Sequence, residues 1–256
     1  MNPEKFALVV GIVVFAAGSL GLALHRSVPE KHLTGGSKDM IGAVAGLLTL
    51  LSALVLGLLI WTAYGVYAGQ NTAIQTLATK VLQFDLALKD YGPDASAART
   101  QLREGLAKSI DQVWGASESD TNFAATNFAA AIQSQRNWEA LLKGLNPSTD
   151  AQKQALTSAT LTIDAINQSR LQMSFALGNP VSIPLVAIVV AWATILIFGY
   201  GLLSGGNVAS FLAMALAALA VASAAYLIVS LSDPYAGLFR ASSAPLDQVL
   251  AVMGKE

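Results

Sequence analysis

The sequence has no cysteine and little charge, and each shortage narrows what the protein can be. Without cysteine there is no disulfide, no thiolate nucleophile and no Cys-ligated zinc. Charged residues make up 12% of the chain, against roughly a quarter in ordinary soluble domains, while 54% of it is hydrophobic. Fifteen Lys and Arg against sixteen Asp and Glu leave a formal net charge of −1, so nothing marks a nucleic-acid partner. The two histidines, His25 and His32, stand outside the i, i+3 or i+4 spacing of helical metal ligands, and no carboxylate cluster completes a set. No GxSxG, HExxH or P-loop pattern occurs either. The expectation is a protein that is not an enzyme and carries no metal or cofactor.

What charge there is leaves three long blocks empty. Phe6 to Leu24, Met40 to Thr79 and Leu171 to Ser232 contain no charged side chain. A helix needs about 20 apolar residues to cross a bilayer. The first two blocks therefore supply one span each, and the third supplies two with a turn at Gly205-Gly206-Asn207. The N-terminal block is longer than the roughly 7–15 apolar residues of a signal peptide, and Glu4 offsets Lys5 at its charged end, so it reads as a retained first helix. The expected fold is an all-α membrane protein of four transmembrane helices, with an all-helical extramembrane domain inserted between helices two and three. Its layout runs from helices one and two with a polar connector (1–70), through the helical bundle (71–178) and helices three and four (179–232), to a tail (233–256).

No proline lies between Pro29 and Pro93, so helix two can continue past its apolar part as one rod. From residue 71 onward the pattern becomes amphipathic: Ile74, Leu77, Val81, Phe84, Leu88 and Tyr91 recur at steps of three and four, the seam of a packed helix. Gly92-Pro93-Asp94 breaks it. A face of Leu102, Leu106, Ile110, Val113 and Trp114 follows, then a break at Gly115–Ser119. A helix over about 120–143 carries Phe128, Ile132, Trp138, Leu141 and Leu142, and another over about 148–177 carries Leu156, Ile163, Ile166, Met173 and Leu177.

The spans hold no ionisable group, which argues against a proton-coupled pump but suits a passive pore with an apolar constriction. Gly42 and Gly46 form a Gly-xxx-Gly pair, expected to pack helix two within the four-helix set. Leu50, Leu54 and Leu58 form a single stripe that, on residues alone, reads as core or lipid-facing leucine. Charges flanking the spans are balanced and choose no orientation.

The segment Ser52-Ala53-Leu54-Val55-Leu56-Gly57-Leu58-Leu59-Ile60-Trp61 resembles the pore-helix segment of bestrophins, a family of anion channels. Asp233-Pro234-Tyr235-Ala236-Gly237 and Ala244-Pro245-Leu246-Asp247 are similar to the bestrophin tail. The whole chain resembles the bacterial bestrophin-like family, through Leu54–Leu59, Tyr91-Gly92-Pro93-Asp94, Ala191-Trp192, Phe198-Gly199 and the tail residues Asp233, Pro234, Tyr235, Pro245 and Leu246. The resemblance implies a homopentamer in the bacterial inner membrane, in contact with lipid, passing small inorganic ions along one axis. Leu50, Leu54 and Leu58 would form its hydrophobic neck, Trp61 and Tyr64 the inner mouth, and Gly57, with Gly42 and Gly46, the helix-packing positions. The helical domain and both termini would be cytoplasmic. Leucine stands where bestrophins have aromatic neck residues, and the tail lacks their acidic calcium clasp. The rival expectation is a non-conducting receptor or scaffold whose bundle binds a ligand or partner.

Overall fold

A computed structural model describes residues 2–25, 36–115, 133–134, 136–177, 181–204, 207–235 and 238–254. Seven α-helices stand out among them: α1 (Pro3–His25), α2 (Gly36–Tyr91), α3 (Ser96–Ile110), α4 (Asp150–Leu177), α5 (Ile183–Leu203), α6 (Val208–Ser232) and α7 (Ala244–Met253). A further helical stretch covers 136–143, and no strand occurs among the described residues. Four helices, α1, α2, α5 and α6, are long and apolar enough to cross a membrane. The protein is thus all-helical with four candidate spans. The chain divides into two compact units, Met1–Gly65 with Val181–Ser232, and Val66–Pro180 with Asp233–Glu256.

In the first unit α1 packs on both α5 and α6. Lipid tails are as apolar as leucine, so helices here are held by close packing and not by escape from water. Glycine makes that packing possible. A Cβ on Gly21 would run into the Phe198 carbonyl, and one on Gly201 into the Gly18 carbonyl. Val10 and Val14 of α1 meet Ala218 and Ala225 of α6 in a small core, and Phe15 sits edge-on to Phe211 at 5.3 Å. At the end of α1 the His25 Nδ1–H donates to the Leu202 carbonyl at 2.8 Å, tying the end of α1 to α5. His32 and the turn residues Gly205 and Gly206 lie outside the described residues.

The second unit is built around the seam anticipated from the sequence. Ile74, Val81, Phe84, Leu88 and Tyr91 are buried and Leu77 packs against them. Leu102 and Leu106 of α3, Trp138 and Leu142, and Ile163 and Ile166 of α4 complete the core. Trp138 stands edge-on to Phe84 at 5.0 Å. Phe128 and Ile132 lie outside the described residues. Helix α2 ends because Gly92 takes φ 109, a left-handed value that favours glycine, before a 3₁₀ turn over Pro93–Ala95. Gln152 then opens α4. It accepts from the Thr149 N–H while its own N–H donates to Thr149 Oγ1 at 3.1 Å, a reciprocal capping box, and its amide reaches the Tyr91 carbonyl at the end of α2. Helix α3 runs on into a π-helical turn, Asp111–Gly115, and the rest of the break expected at Gly115–Ser119 lies outside the described residues.

Two polar ties cross this core. Arg99 donates twice to the buried Asp85, at 2.9 Å each, and Lys80 donates to the Ala165 carbonyl and to Ser169.

Candidate functional site

Helix α2 is the element on which the expected pore residues lie. Its apolar part, free of proline and of charge from Met40 to Thr79, pairs its backbone groups inside the helix, as a bilayer demands. The helix runs for 56 residues, about 84 Å at 1.5 Å per residue, far more than a crossing requires.

Within the first unit this helix is two-faced. Leu50, Leu54, Leu58 and Trp61 are 71%, 69%, 60% and 72% exposed, and Tyr64 is half exposed. At about 100° per residue all five lie within about 80° of Leu54 around the helix. Leu59 and Ala63, buried, lie on the opposite side, about 140° and 180° from Leu54. The stripe is therefore an uncovered hydrocarbon face, and the two buried residues of this stretch lie away from it. Thr49 and Thr62 add no loose polar group, because each hydroxyl donates to the carbonyl four residues back, Ala45 and Leu58. Trp61 and Tyr64 sit side by side with ring centroids 6.3 Å apart.

The glycines fall elsewhere than expected. Among the described residues, nothing beyond the helix's own backbone comes within 4 Å of where a Cβ on Gly42, Gly46 or Gly57 would stand. No packing against Gly42 or Gly46 is seen among the described residues, where Gly18, Gly21 and Gly201 make close approaches in this unit. Gly-xxx-Gly spacing reports that a helix can be approached, not by which neighbour.

The tail residues belong to the second unit and are brought together by it. Pro234 and Tyr235 are buried, and the Tyr235 hydroxyl donates to Gln70 Oε1 at 2.9 Å. Gln70 in turn donates to the Met173 carbonyl, so one buried carboxamide joins α2, α4 and the tail. Trp114 stands edge-on to Tyr235 and donates to the Ala241 carbonyl at 2.7 Å. Burial pushes the Tyr235 phenol well above its ordinary pKa. Beyond it, Leu246, Val249 and Met253 of α7 are buried in the same core, and α7 lies on α3. Helix α7 is not among the elements expected from the sequence, although Pro245 near its start and apolar residues at 246, 249, 250 and 253 are a helical signal. Asp247 accepts from Ser243 at that start, and Asp233 joins no group of three or more metal-ligating side chains among the described residues. Gln70 was missed as well, since a lone carboxamide in a neutral segment has no pattern to reveal it.

A family model, that of the Bestrophin-like domain, matches residues 12–246. No curated protein and no solved structure gives a significant match.

Proposed function

The chain belongs to the bestrophin-like family, and on that footing we propose that it is a passive ion channel whose subunits assemble as a homopentamer. The observation that carries this reading is the uncovered face of α2, with Leu50, Leu54, Leu58 and Trp61 each at least 60% exposed on the single chain. Five copies around one axis would present five such faces to one another. Leu50, Leu54 and Leu58 would then form stacked hydrocarbon rings, narrow enough to gate by dewetting. Trp61 and Tyr64 form the inner mouth. Gly42, Gly46 and Gly57, bare among the described residues, become positions where a neighbouring subunit approaches. The second unit is the extramembrane domain inserted between the second and third spans, and it lies in the cytoplasm with both termini. Small inorganic ions are the cargo, and the surrounding partner is lipid of a bacterial inner membrane.

Recording from purified protein in planar bilayers tests this, with potassium and chloride gradients applied in turn. Silence to both ions across a wide voltage range counts against conduction.

One observation favours a second reading, a non-conducting receptor or scaffold: the helical unit holds a cavity large enough for a ligand. Subunit number separates the two, because an axial pore needs a ring and a sensor module is commonly a dimer.

A further inference from the structure

The cavity lies wholly within the second unit and measures about 760 Å³, inside the roughly 300–1,000 Å³ range of small-molecule sites. Its walls are mainly apolar, with Ile74, Ile163, Trp114 and Trp138 among them. Two cations, Arg170 and Lys108, line it, and no carboxylate does among the described residues. Lys108 is exposed and solvated, whereas Arg170 is substantially withdrawn from water. Desolvation lowers the Arg170 pKa from its ordinary value, yet a guanidinium stays charged in proteins.

Among the described residues no carboxylate pairs with Arg170 and no acceptor takes its N–H groups, although five donors in a planar fork suit a carboxylate. Elsewhere in the same unit the chain does supply partners: Arg99 has Asp85, and Lys80 has a carbonyl and Ser169. Gln101, Gln112 and Asn137 add amide groups to the same cavity.

We propose that this cavity binds an organic monoanion, with a carboxylate head on Arg170 and an aromatic or branched apolar body against Trp114 and Trp138. An isolated guanidinium in an apolar recess costs stability until an anion arrives, so binding and charge neutralisation coincide. The site stands whether or not the protein conducts.

The test uses the full chain in lipid nanodiscs and calorimetric titration with 2-naphthoate, its neutral counterpart 2-naphthamide, and acetate. Saturable binding of naphthoate at one site per chain is expected, at least about tenfold tighter than naphthamide, with acetate binding weakly for want of a body. Arg170→Met should weaken naphthoate at least about tenfold and leave naphthamide unchanged, while Arg170→Lys falls between. Without ligand, Arg170→Met should melt at or above the wild-type temperature, since it removes an unpaired charge. Equal binding of naphthoate and naphthamide to the wild-type protein overturns the proposal, and that comparison needs no variant. So does the absence of saturable naphthoate binding, or naphthoate binding that Arg170→Met leaves intact.

Discussion

The Tyr235 hydroxyl donates to Gln70 at 2.9 Å across 165 residues of sequence, and both side chains are buried. A family tail residue therefore acts here as a clamp on α2. Replacing Tyr235 with Phe keeps the ring and strips the donor from a buried carboxamide oxygen, a cost of about 1–3 kcal/mol. Thermal melting should show that loss, and pairing Tyr235→Phe with Gln70→Leu should recover part of it. The same phenol gives a pH signature. Its folded pKa is raised above the ordinary 10.0, so its stabilisation is complete below pH 10 and is lost as pH rises from there through the folded value. Wild-type stability should fall more steeply above pH 10 than that of Tyr235→Phe, and parallel curves would refute the assignment.

Leu54 and Leu59 should part company when truncated. Leu54→Ala removes an exposed side chain, so the chain's own stability should hardly change, while the proposed neck widens and conductance rises. Leu59→Ala opens a cavity on the packed face and should cost about 2–5 kcal/mol. Melting and single-channel conductance, measured on both variants, read the difference.

Gly21 and Gly42 make a second contrast. Gly21→Val forces side-chain atoms into the Phe198 carbonyl and should cost about 1–3 kcal/mol or more. Gly42→Ala and Gly46→Ala meet nothing among the described residues, so they should not lower the chain's own stability by more than about 0.5 kcal/mol. If a neighbouring subunit lies against those glycines, native mass spectrometry should instead show fewer intact oligomers.

Asp85 and Arg99 test the core of the helical unit. Asp85→Ala takes the buried carboxylate from a half-buried guanidinium and should destabilise by about 1–3 kcal/mol, read by chemical denaturation. Replacing both together, Asp85→Leu with Arg99→Met, should cost less than Asp85→Ala alone.

The seam from Ile74 to Tyr91 was legible because a helix repeats its buried face every three to four residues, and burial selects hydrophobic side chains. Gly92-Pro93 marked a helix end for the same local reason: glycine reaches positive φ and proline lacks an N–H. The helix over Ala244–Met253 was legible in principle, at Pro245 and the apolar residues behind it, but ten residues offer little periodicity to count.

What the sequence by itself determined was therefore local or one-dimensional. The empty charge blocks set four apolar helices, because an unpaired charge is costly in hydrocarbon, and the pattern of family residues set membership. Tertiary structure decided which surfaces meet. Gly21 finds Phe198 and Tyr235 finds Gln70, while among the described residues Gly42 finds no neighbour and Arg170 no partner. Spacing along a helix says which residues share a face, but which neighbour covers that face depends on contacts between residues distant in the chain, and those have no period to read.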